Sequence, residues 1–134
     1  MMDEHFEPDE LLFRAVRPDN MYWKVPGEKL SSAAFKDSHG LSVDRAGGRT
    51  IAESAECLKT RMEGTIAYLP VSKCNDVNAI VKYLPIPNIN IWHSEIYGSS
   101  NNNLALTSSQ AKKIADAAKL YIPPMASDKS PENE

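Results

Sequence analysis

In the stretch IWHSEIY, His93, Glu95 and Tyr97 alternate with Trp92, Ser94 and Ile96. If the stretch is a strand, the three polar groups share one face, because successive side chains of a strand point to opposite sides. A carboxylate beside an imidazole can orient it and favour its protonated form, and a phenol adds a third hydrogen-bonding group. Such a set suits general acid–base work. The same alternation also fits an ordinary amphipathic strand, with Trp92 and Ile96 packed inward and the polar set in water. Periodicity alone leaves both readings open.

A more diffuse constellation comes from short polar residues inside apolar segments: Arg14 in LLFRAV, Ser31 and Ser32 in LSSAAF, and Ser42 and Asp44 in LSVDR. A buried polar group needs partners to offset its desolvation, so these residues either line a groove or satisfy one another, as Arg14 paired with Asp44 would. RAGGRT offers an anion cradle, since its glycines let backbone approach a ligand and a helix start supplies free amides, with Arg45 and Arg49 on either side. It is not a phosphate-loop motif, and Glu53 brings negative charge to the same helix start. A flexible connector is the plainer reading of it. No metal site is expected, because His5, His39 and His93 are far apart and neither Cys57 nor Cys74 stands at a ligand spacing from them.

The elements that must position these groups are marked by pattern. LLFRAV reads as a first strand that Pro18 stops, and PDNMYWKVPGEK as a loop or hairpin turned at Pro26-Gly27. LSSAAF and LSVDR read as two strands of a hairpin joined by KDSHG, with Gly40 at positive φ. Thr50 and Glu53 form a capping box that opens a helix with Ile51, Ala55, Leu58 and Met62 on its buried stripe, ended by Gly64. Then come the strand TIAYLPV, a turn or one short helical turn in SKCNDVN, and the strands AIVKYL and NIWHSEIYG. SSNNN reads as a loop, and a second capping box at Thr107 and Gln110 opens a last helix with Ala111, Ile114, Ala115, Ala118 and Ile122 inward. The order β-β-β-α-β-β-β-α implies a single α+β domain: a mainly antiparallel sheet of five or six strands, covered on one face by two amphipathic helices.

The domain is expected over residues 9–122, with a flexible arm at 1–8 and a disordered, solvated tail at 123–134. Such a chain buries about two-thirds of its unfolded surface and needs no staples. With 42% hydrophobic and 25% charged residues, the composition is that of a globular protein. The net charge of −3 argues against nucleic acid as a general partner. The acidic start MMDEHFEPDE is unlike a signal peptide, and the longest apolar run, about seven residues around IAYLPV, falls far short of the roughly 20 that span a bilayer. Two unpaired cysteines and the lack of N-x-S/T acceptors complete the expectation of a cytoplasmic protein with no membrane partner.

The segments LFRAVRP, SSAAFKDSHGLSVDR, HSEIYG and LTSSQAKKIADAAKL resemble a family of small, mostly uncharacterised prokaryotic proteins. In that family's pattern stand Phe13, Arg14, Ser32, Phe35, Leu41, Ser42, Val43, Asp44 and His93; the resemblance implies architecture and no activity. A second likeness is to ADP-ribosyltransferase and RES-type toxins, in which an early-strand arginine, a serine-bearing strand and a later acidic residue handle NAD. On that resemblance Arg14 binds a phosphate or ribose, Ser42 sits in the nicotinamide pocket, and Glu95 polarises the departing bond. Two functions follow. The one the sequence favours is a non-catalytic protein-binding or regulatory domain without a cofactor, anchored on a surface patch around Tyr22 and Trp23. The other is a small nucleotide- or NAD-processing enzyme with Arg14, Ser42, His93 and Glu95 as catalytic groups and Ser32, Asp44, Arg45, Arg49 and Tyr97 as ligand contacts.

Overall fold

The computed structural model describes residues 2–99 and 105–124. Its strands are β1 (Leu11–Val16), β2 (Trp23–Val25), β3 (Lys29–Leu30), β4 (Leu41–Arg45), β5 (Thr65–Pro70), β6 (Ile80–Tyr83), β7 (His93–Tyr97) and β8 (Lys119–Leu120), and its helices are α1 (Ile51–Lys59), α2 (Val71–Asn75) and α3 (Ser108–Ala117). Six strands form one antiparallel sheet in the order β6-β7-β4-β1-β5-β8, while β2 and β3 make a separate ribbon turned through Gly27 at φ +74°. The α+β expectation is met. The loop expected over SSNNN lies outside the described residues beyond Ser99, as does the tail beyond Pro124.

Both capping boxes form. Thr50 Oγ1 accepts from the Glu53 amide at 3.1 Å while the Thr50 amide donates to Glu53 Oε1 at 2.8 Å. Thr107 and Gln110 repeat the pattern at 3.1 and 2.9 Å. Each cap is worth about 1 kcal/mol and fixes where its helix begins.

The helices do not share a face. Leu12, Leu41, Val43, Leu69 and Ile96 point to the side where α3 lays Ala111, Ile114 and Ala115, and where Phe35, Val71 and Cys74 complete the main core. Phe13 and Ile66 point to the other side, against Ala55 and Leu58 of α1. Strand alternation forces this division, since Leu12 and Phe13 are neighbours in β1. The sheet is thus sandwiched, not covered on one side. Each large side chain buried in these layers contributes about 1.5–3 kcal/mol.

Three further expectations are corrected. LSSAAF is no strand: Ser32–Phe35 is a 3₁₀ turn. It buries the consecutive residues Ala34 and Phe35 in the same core layer, whereas a strand sends neighbours to opposite faces. β4 therefore has no hairpin partner before it and pairs instead with β1 and β7. Helix α1 ends at Lys59, leaving Met62 exposed. Helix α3 ends at Ala117; Ala118 turns extended, Lys119–Leu120 join the β5 edge, and Tyr121 donates its amide to the Ile66 carbonyl. Pro123 and Pro124 follow, so a longer helix would soon lose its donors. Ile122, expected inward, is 82% exposed.

Candidate functional site

The ladder between β1 and β4 carries only the pairs Leu12–Arg45 and Phe13–Asp44, while β1 pairs with β5 along its whole length. Past Phe13 the two strands part. Arg14 takes over there: its Nε donates to the Ala34 carbonyl at 2.8 Å and its Nη1 to the Ser42 carbonyl at 2.9 Å, replacing ladder bonds with guanidinium bonds. Burial lowers the Arg14 pKa, against the pull of Asp37.

Alongside this gap, on the side that α1 only half covers, lies a cleft of about 290 Å³. Arg14, Ser42 and Asp44 border its floor with His93; Leu58, Arg61 and Met62 form one wall, and Ile86, Ile89 and Asn90 the other. The loop after β6 that supplies the second wall turns at Asn88 (φ +66°) and closes with an Ile86–Asn90 bridge. Register sets Ser42 opposite Glu95 and Asp44 opposite His93 on β4 and β7. The alternation read from IWHSEIY therefore holds.

The polar groups are tightly paired. Glu95 Oε2 meets His93 Nε2 at 2.9 Å, and Glu95 Oε1 accepts from the Tyr97 hydroxyl at 2.5 Å. Burial opposes the charge on Glu95, but the hydrogen bonds from Tyr97 and His93 outweigh it and hold the carboxyl below its usual range. The same bond, with burial, pushes the Tyr97 phenol up to about 12. Gly40 makes this packing feasible, because a Cβ there would lie 2.5 Å from the Tyr97 ring and 2.6 Å from Glu95 Oε1. It is not among the positive-φ glycines, so close approach, not a left-handed turn, explains it. Asp44, nearly fully buried, accepts from Arg61 Nη2 and, at 2.8 Å, from Asn90 Nδ2. Its partner is thus Arg61, and the pairing with Arg14 expected from sequence does not form.

Not every sequence candidate joins the cleft. Arg45 grips Glu10 through Nε and Nη2, both at 2.8 Å, donates to the Asp3 and His5 carbonyls, and stacks on Phe6 and Tyr83. Gly47 donates its amide to the same Glu10 at 2.9 Å. Burial disfavours the Glu10 charge, yet the bonds from Arg45 and Gly47 hold its carboxyl low. RAGGRT does cradle an anion, and that anion is the chain's own. Arg49 donates to the Ala46 and Arg45 carbonyls and lies 3.6 Å from the Trp92 ring centre. Ser32 sits in the 3₁₀ turn, away from the cleft. Trp23 is buried, its indole donating to the Arg17 carbonyl, so it does not supply the expected surface anchor, while Tyr22 packs against the core and stays partly exposed.

Sequence reasoning missed Arg61, Asn90 and the isoleucine wall. Arg61 follows Leu58 by three residues, so helical spacing carried a usable signal. Asn90 carried none. Cys74 is no alternative nucleophile, since burial pushes its thiol up to about 12. Among the described residues no group of three His, Cys, Asp or Glu is placed to hold a metal, and no helix is long and apolar enough to cross a membrane. No family model, curated protein or solved structure matches the chain.

Proposed function

We propose that the chain is a small enzyme acting on a nucleotide of the NAD type, cleaving the bond between nicotinamide and ribose. One observation carries this reading: Arg14, Ser42 and His93, from three neighbouring strands, border a single cleft, with Glu95 bonded to His93 beside it. The resemblance to ADP-ribosyltransferase and RES-type toxins points to the same strands. As the C1′–N bond breaks, both its electrons stay on the nicotinamide nitrogen, which leaves neutral, and positive charge grows on the ribose. A carboxylate held ionised, as Glu95 is, stabilises that charge. The oxygen of a water molecule then bonds C1′, and one of its protons passes to His93, leaving ADP-ribose. Arg14 acts as a positioning residue, fixing Ser42 through its carbonyl.

The test is incubation with NAD, with nicotinamide release followed by mass spectrometry. Wild-type chain should release nicotinamide, and Glu95→Gln should slow release by about 10²–10³-fold. Wild-type chain that neither binds nor cleaves NAD ends the reading.

A second reading, the protein-binding domain, is favoured by the exposed aliphatic residues at the cleft mouth: Ile89 at 73%, Met62 at 48% and Ile86 at 38%. Exposed aliphatic side chains on both walls of one mouth are a docking feature. This reading fails if an Ile89→Asp chain recovers the same partners from lysate as the wild type.

A further inference from the structure

We propose that Arg61 is the residue that receives the phosphate of a nucleotide in the cleft, an assignment that rests on the nucleotide reading above. The sequence resemblance gives that task to Arg14, whose Nε and Nη1 are committed to main-chain carbonyls that hold the strand gap. Arg45 and Arg49 are committed to Glu10, to carbonyls and to aromatic rings outside the cleft. Arg61 differs from all three. It stands on the cleft wall between Leu58 and Met62, with its side chain 31% exposed.

Its Nη2 donates to Asp44, and Cys57 stands within its hydrogen-bonding reach. A guanidinium has five N–H donors in a planar fork, so these two partners still leave donors for two phosphate oxygens. The bond to Asp44 also fixes the direction of the fork before any ligand arrives, which lowers the entropy lost on binding. Asp44 in turn accepts from Asn90 on the facing wall, so one buried carboxylate sets the separation of the two walls. The apolar surfaces of Phe13, Leu58, Met62 and Ile89 then suit the planar, weakly polar part of such a ligand.

The experiment is calorimetric titration of the full chain with NAD, nicotinamide mononucleotide and nicotinamide riboside, which carry two, one and no phosphates, for wild type, Arg61→Gln and Arg61→Lys. Arg61→Gln should weaken the two phosphorylated ligands by about 10–100-fold, the range of one or two charge-assisted bonds, and the riboside by less than about threefold. Arg61→Lys keeps a charge beside Asp44 but loses the fork, so it should fold as the wild type does and weaken the phosphorylated ligands by about fivefold. Should Arg61→Gln fail to fold, the lysine variant decides by the same contrast. Equal weakening of all three ligands, or none for the mononucleotide, overturns the role of Arg61 and leaves the nucleotide reading standing. Wild-type chain that binds none of the three overturns both.

Discussion

The two faces of the sheet are built to opposite ends. On one, α3, α2 and the Ser32–Phe35 turn seal Leu12, Leu41, Val43, Leu69 and Ile96 into a dry layer. On the other, α1 covers only Phe13, Ile66 and their neighbours, and beyond Leu58 the floor carries Ser42, Asp44 and His93, with Glu95 bonded to His93 beside it. A helix of nine residues is too short to cover six strands. The difference teaches that the cleft is the part of the sheet left over when a short helix stops, and that its polar groups must satisfy each other where no helix does so.

If the comparison holds, substitutions on the two faces should separate cleanly. The largest effect belongs to the sealed face: Phe35→Ala, at a fully buried ring, should cost about 3–5 kcal/mol in denaturant unfolding. A cost under about 1 kcal/mol would mean that this face is not the close-packed one. A middle effect falls at the rim of the open face. Gly40→Ala drives a methyl group into Tyr97 and Glu95, and overpacking of this kind costs about 1–3 kcal/mol. Its sharper signature is loss of the Glu95–Tyr97 bond, visible as a fall in the Tyr97 pKa on ultraviolet titration.

The smallest effect is set by pH. The Glu95 carboxyl titrates lower in the folded chain than the ordinary 4.5 it has when unfolded, so its bonds to Tyr97 and His93 stabilise the fold fully above about 4.5. That contribution is lost as pH falls through the lowered folded value. Glu10 behaves in the same way through Arg45 and Gly47. Unfolding free energy measured from neutral to acid pH should therefore fall less steeply in Glu95→Gln than in wild type, with the slope due to Glu10 remaining. Identical slopes would show that Glu95 is not held ionised.

What the sequence discloses follows the range of the interaction. The capping boxes at Thr50 and Thr107 are legible because their partners are three residues away, and the shared face of His93, Glu95 and Tyr97 because strand geometry alone decides it. The fate of Lys119–Leu120 is not legible: a stripe that would extend α3 is outcompeted by an open edge on β5, which lies some fifty residues earlier. Phe35 illustrates the same limit, since its neighbour Ala34 is buried with it only because α3 lies across both. Arg14 and Asp44, each apt for pairing, are separated by partners that folding supplies, namely the Ser42 carbonyl and Arg61. Gly40 was readable as a turn, whereas its use, making room for a carboxylate from β7, depends on strand register.

The narrow seam between β1 and β4 has a mechanical meaning. It divides the sheet into two leaves, β8-β5-β1 and β4-β7-β6, bound along a short spine at Leu12 and Phe13. Serine, histidine and glutamate ride on one leaf, and the arginine latch that crosses the gap rides on the other. Any widening of the aperture must therefore stretch the Arg14 bridge, so a residue that touches no reacting atom governs how far the hollow can yawn.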